Sequence, residues 1–181
     1  IRPGRCRTSR RAGAAVIRVA AVGDIHLGAD SAGRLAPGLA DLADQADVLL
    51  LAGDLTKCGS PDEAHCVARE LRGVTVPIVA VLGNHDYAVT KDPFSRPVVL
   101  DELGSARLLA DEAETVEVRD RRVQIVGVDP RSYRRGTARP ERLADDHAHP
   151  HATLVRDGKR ALGVVVERRL GLLHRIGQRH P

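Results

Sequence analysis

The 181-residue chain is nearly without aromatic side chains: it has two Tyr, one Phe and no Trp, and Met is also absent. A core must therefore be built from Val, Leu, Ala and Ile. The 43% apolar content is enough for one domain with a sizeable interior. No apolar run is long enough to span a bilayer, so no membrane partner is expected. The opening "IRPGRCRTSRRAGAA" lacks acids and lacks an apolar stretch before a cleavage site, and it does not read as a secretory signal. Cysteine is scarce as well. Cys6, Cys58 and Cys66 are odd in number and show no paired metal spacing, which reads as reduced thiols in a cytoplasmic protein.

The formal charge of +4 is unevenly spread. Residues 1–15 carry five Arg and no acid, residues 16–128 carry 11 Lys+Arg against 18 Asp+Glu, and residues 129–181 carry 12 against six. The central body is acidic and the basic character belongs to the flanks. Specific nucleic-acid recognition needs basic groups clustered on a folded face, so no specific nucleic-acid partner is expected. Non-specific binding by the basic tails stays as a minor alternative.

From residue 16 the pattern is regular. "VIRVAAVG", "DVLLLAG" and "VPIVAVLG" are short, β-branched or leucine-rich runs ended by glycine, as buried strands are. Between them, residues 36–46 place Leu39, Leu42, Ala43 and Ala46 on one helical face. Residues 60–73 carry a capping box, with Ser60 as cap, Pro61 in the first helical position and Glu63 completing the box. The β-α-β-α-β order with continuous apolar strands implies an α/β fold, a parallel sheet covered by helices on both faces. "VLDELG" reads as a short helix, and "ETVEVRDRRVQIVGV" as a hairpin turning at Asp120-Arg121. Three segments follow: a basic extension at 1–15, a domain at 16–128, and a basic, atypical segment at 129–181. In the last, Leu162 to Val166 reads as a strand and "ERRLGLLHRI" as a weak helix.

Ligands of an open parallel sheet bind beyond the carboxyl ends of its strands. Three polar clusters stand there, each behind a glycine: Asp24 and His26, then Asp54, then Asn84, His85 and Asp86. Carboxylate, imidazole and amide oxygen form a mixed donor set that suits Mn, Fe or Zn. Any of these clusters taken alone also fits a polar turn.

In order, Gly23-Asp24-x-His26, Gly53-Asp54 and Gly83-Asn84-His85-Asp86 resemble the first three motifs of the calcineurin-like metallophosphoesterase family, over roughly residues 16–128. The resemblance implies an α/β/β/α sandwich and a phosphoesterase that hydrolyses phosphomono- or phosphodiesters with two divalent metal ions. It further implies that Asp24 and His26 bind the first ion, that Asp54 bridges and that Asn84 binds the second. His85 would be the catalytic histidine near the leaving group, with Asp86 orienting it.

The later His motifs of that family are not found. Asp146-His147-Ala148-His149 has the His-x-His spacing but lacks the Gly and the preceding apolar strand. With His151 it reads as a solvated cluster. The sandwich is accordingly expected to be incomplete, with a frameshift or internal deletion setting 129–181 apart. A non-catalytic remnant that binds metal weakly is the alternative function.

Overall fold

Each glycine-stopped apolar run becomes a strand of one parallel sheet. The computed structural model describes residues 16–87, 106–119 and 121–143, together with the backbone of strands at 152–157, 160–166 and 174–175. Strands β1 (Val19–Val22), β2 (Val48–Ala52) and β3 (Ile78–Val81) pair in parallel, in register Val19 with Val48 and Leu49 with Ile78. A strand not foreseen, β4 (Ala106–Leu109), extends the sheet beside β3. Its "ARLL" is too short to show alternation.

The capping box forms as its spacing demands. In α3 (Pro61–Leu71), Ser60 Oγ accepts from Glu63 N and Glu63 Oε2 accepts from Ser60 N. The helix foreseen over 36–46 is instead two turns, α1 (Ala36–Leu39) and α2 (Leu42–Gln45), broken at Ala40-Asp41. Gly38 weakens helix propensity by roughly 1 kcal/mol. Leu39, Leu42 and Ala46 are buried, whereas Ala43 is exposed.

Both faces of the parallel sheet are buried, but by different layers. Ala20, Val22, Leu49, Leu51 and Ala80 pack with Leu39, Leu42, Val67 and Leu71 of the helices. On the other face Val19, Leu50, Val79 and Val81 pack with Val118, Val123 and Ile125. These belong to β5 (Glu112–Val118) and β6 (Arg121–Gly127), the foreseen antiparallel hairpin. Helices on both faces is therefore corrected to helices on one and a second sheet on the other. Continuous apolar strands report burial on two sides without saying what buries them. The layers come close: a Cβ on Gly127 would run into Leu109 Cβ and lie 2.8 Å from Val81 Cγ1.

The second sheet does not stop at residue 128. Strands β7 (Ala152–Asp157) and β8 (Arg160–Val166) form an antiparallel hairpin, and β8 pairs with β6, giving the order β5-β6-β8-β7. The foreseen strand at Leu162–Val166 lies within β8. Asp157-Gly158 carries a hairpin-turn signal that the scattered Arg residues obscured. His174–Arg175, expected in a helix, form β9 beside β1. The short helix foreseen at "VLDELG" lies outside the described residues. A short helix α4 (Pro130–Arg134) follows β6, capped by Asp129, whose side chain accepts from Arg131 N. Among the described residues no helix is long and apolar enough to cross a membrane.

Opposite the glycine ends, Asp47 accepts from Arg18 N and from Arg18 and Arg119 side chains. On the helix side, buried Glu70 accepts from the N–H groups of Gly33, Leu35 and Ala36, fixing the loop that leads into α1. Burial pushes the Glu70 carboxyl up, and these three hydrogen bonds outweigh it, leaving it below the usual carboxylate range. The stabilisation is therefore present above the unfolded-state pKa and is lost as pH falls through the lowered folded value. Glu70→Ala should lower unfolding stability at neutral pH by about 1–3 kcal/mol. Urea titrations should show the gap between variant and parent narrowing in acid. A gap that does not change with pH would mean the carboxylate charge does not hold the loop.

Candidate metal centre

The loops after β1 and β2 continue the parallel pairing past the strands. Asp24 N donates to Gly53 O, His26 N to Asp54 O, Leu27 N to Leu55 O, and Lys57 N returns to Leu27 O. This stitching holds Asp24, His26 and Asp54 with positive φ, at 55°, 48° and 49°. Asp tolerates this left-handed region better than most residues, and His is also enriched there. All three are the polar residues the sequence singled out.

Asp54 is completely buried. Its Oδ1 accepts from His85 N at 3.0 Å, and its Oδ2 lies 3.7 Å from His26 Nε2. His26 Nε2 is also 3.5 Å from Asp24 Oδ1. The His26 and His85 rings meet edge to face with centroids 4.6 Å apart. Ligand atoms of His26, Asp54 and His85 lie within 4.8 Å of one another. The structure thus gathers donors from all three strand ends. Gly83 is required by this packing, since a Cβ there would collide with the Asp54 carboxylate and backbone N.

The third loop is set by Asp86. Its buried carboxylate accepts from Leu55 N (3.2 Å), Thr56 N (2.8 Å), Thr56 Oγ1 (2.6 Å) and Gly83 N (2.7 Å). Burial pushes its carboxyl up, against the pull of the bonds from Thr56, Gly83 and Leu55. These partners are the loop backbones and the Thr56 hydroxyl, not the His85 ring. The ring's Nδ1 faces the Lys57 carbonyl at 2.9 Å. A carbonyl only accepts, so Nδ1 carries the proton and Nε2 is left for chemistry. Asn84 is half-buried on the same loop, and its main-chain carbonyl accepts from Tyr87 N. His147, His149 and His151 lie outside the described residues.

Sequence reasoning missed a second cluster at the same end of the fold. Tyr87 OH donates to Asp129 Oδ2 at 3.0 Å. Arg131 donates from Nε to Asp129 Oδ1 (3.2 Å) and from Nη2 to Oδ2 (3.0 Å), and its guanidinium lies 4.4 Å over the Tyr87 ring. Asp129 N donates to Asp111 Oδ1, which also accepts from Ser132 Oγ. Burial pushes the Asp129 carboxyl up, but the Arg131 and Tyr87 bonds bring it below the usual range. A signal was available: Gly127-Val128-Asp129 repeats the pattern of apolar strand, glycine and aspartate.

Two imidazoles and a buried carboxylate, with a second carboxylate beside them, form a donor set that fits a divalent Mn, Fe or Zn ion. The clustered donors number too few to close two coordination shells. Purified full chain dialysed after loading should retain fewer than two equivalents of these metals, and His26→Ala should lower that content further. Elemental analysis decides. Two full equivalents, unchanged when His147 and His149 become Ala, would place the remaining ligands elsewhere in the chain.

The family model for calcineurin-like phosphoesterases matches residues 17–159. The match runs past Val128, where the sequence resemblance had ended, and takes in β7. No curated protein matches the chain.

Proposed function

The chain belongs to the calcineurin-like phosphoesterase family, and from that premise we propose that it hydrolyses phosphoesters, with a metal site at the carboxyl ends of β1, β2 and β3. The observation that carries this reading is the convergence of His26, Asp54 and His85 within 4.8 Å, each from a different loop. Asp24, His26, Asp54 and Asn84 are the residues that would hold two divalent ions. When bound, such ions activate water and neutralise phosphoryl oxygens.

The protein's own groups supply the rest. His85 keeps Nδ1–H on the Lys57 carbonyl, which leaves Nε2 as the reacting nitrogen. It stabilises charge on the phosphoryl group or protonates the leaving oxygen. Asp86 is a positioning residue: by joining the backbones of Leu55, Thr56 and Gly83 it fixes the spacing between Asp54 and His85. A non-catalytic remnant is the competing reading, and it would bind metal without turnover. A cytoplasmic location belongs to this proposal too.

Hydrolysis of bis(p-nitrophenyl) phosphate by the full chain should require added divalent metal. Asp54→Asn and His85→Ala should each lower the rate by about 10²–10³. Activity that survives both changes would remove the assignment. Metal retention with no detectable turnover would favour the remnant.

A further inference from the structure

Tyr87, Asp129 and Arg131 form a rigid unit that the reaction so far does not use. Tyr87 is the last residue of the 3-10 turn that begins at His85. Its ring is buried and carries the Arg131 guanidinium on its face. Asp129, itself 6% exposed, grips the same guanidinium through two parallel N–H···O bonds and holds the Tyr87 hydroxyl. Ser132 and Asp111 anchor Asp129 from behind. The Arg131 side chain is nevertheless 46% exposed. Among the described residues its Nη1 has no hydrogen-bond partner.

An exposed arginine normally swings freely, and an ion pair at the surface contributes little to stability. Here the side chain is fixed on two sides, by stacking and by a bidentate carboxylate, while one edge of the planar fork faces outward. Such preorganisation removes most of the entropy cost of holding an anion. The hydrogen bond to Asp129 also raises the Arg131 pKa, so its charge is permanent. The unit stands at the carboxyl ends of β3, β4 and β6, and Tyr87, on whose ring the guanidinium lies, is two positions from His85 in the same turn.

We propose that Arg131 binds a non-bridging phosphate oxygen of the substrate and makes the site selective for phosphomonoesters over phosphodiesters. The proposal rests on the phosphoesterase reading above. A monoester offers one more non-bridging oxygen than a diester, and with it one more negative charge near neutral pH. A fixed guanidinium edge favours that extra oxygen with a charge-assisted hydrogen bond.

The test uses the metal-loaded full chain. KM and kcat are measured for p-nitrophenyl phosphate and bis(p-nitrophenyl) phosphate, and inorganic phosphate binding is measured by calorimetry. Arg131→Met should raise the monoester KM and the phosphate Kd about tenfold or more. The diester constants should stay within about twofold, and Arg131→Lys, which keeps charge but loses the fork, should fall between. If Arg131→Met unfolds because Asp129 is left unpaired, the double change Asp129→Asn with Arg131→Met removes both charges and gives the same readings. Parallel changes for both esters, or unaltered phosphate affinity in a folded variant, would overturn the proposal. So would a parent chain that binds no phosphate. If the parent turns over neither ester, the phosphoesterase reading fails, while phosphate affinity still decides the role of Arg131.

Discussion

A buried carboxylate that bonds to no metal donor organises the site: Asp86. One oxygen takes both the amide and the hydroxyl of Thr56, and the other takes the amides of Leu55 and Gly83. Removing a charged group from water is costly unless it is well hydrogen-bonded, and four donors meet that demand. The loops after β2 and β3 have no strand pairing of their own at this point. Without Asp86 the distance between Asp54 and His85 would rest on the single bond from His85 N to Asp54 Oδ1, and catalytic geometry tolerates little slack.

The two ends of the parallel sheet do different work with the same residue types. At the amino end, Asp47 Oδ1 takes the guanidinium groups of both Arg18 and Arg119, and Oδ2 takes the Arg18 backbone N–H. At the carboxyl end, Asp24 and Asp54 both face the His26 imidazole. Asp129 stands between these extremes. It is neutralised by Arg131, yet that arginine keeps an outward edge. The acidic balance of residues 16–128 is thus partly a property of one end of the sheet.

Much of this was legible in the sequence because strand, glycine and polar residue recur as a unit. The three loops, the capping box at Ser60 and the hairpin over β5 and β6 follow from patterns of few residues. What stayed hidden depends on partners far apart in the chain. Nothing near Asp86 says that its oxygens go to Thr56 and Gly83 while the His85 ring turns to a main-chain carbonyl at Lys57. The β7-β8 hairpin was concealed by composition, since Arg156, Lys159 and Arg160 surround its Asp-Gly signal. The break at Ala40-Asp41 was missed because a helical face was counted without weighing Gly38. The cluster at Asp129 went unread because its motif has one residue more between glycine and aspartate than the Gly-Asp pairs at 23 and 53.

The positive φ values at Asp24, His26 and Asp54 carry a consequence for how this chain tolerates change. A side chain in the left-handed region costs about 1–2 kcal/mol relative to the ordinary helical one. Glycine would relieve that strain at a cost of roughly 0.5–1 kcal/mol in unfolded-state entropy. Optimisation for thermal stability alone would therefore rewrite the half-exposed Asp24 and His26 first, whereas buried Asp54 also holds the His85 amide. A chain drifting free of any need for the site would go the same way, and would become more robust as it lost its metal donors.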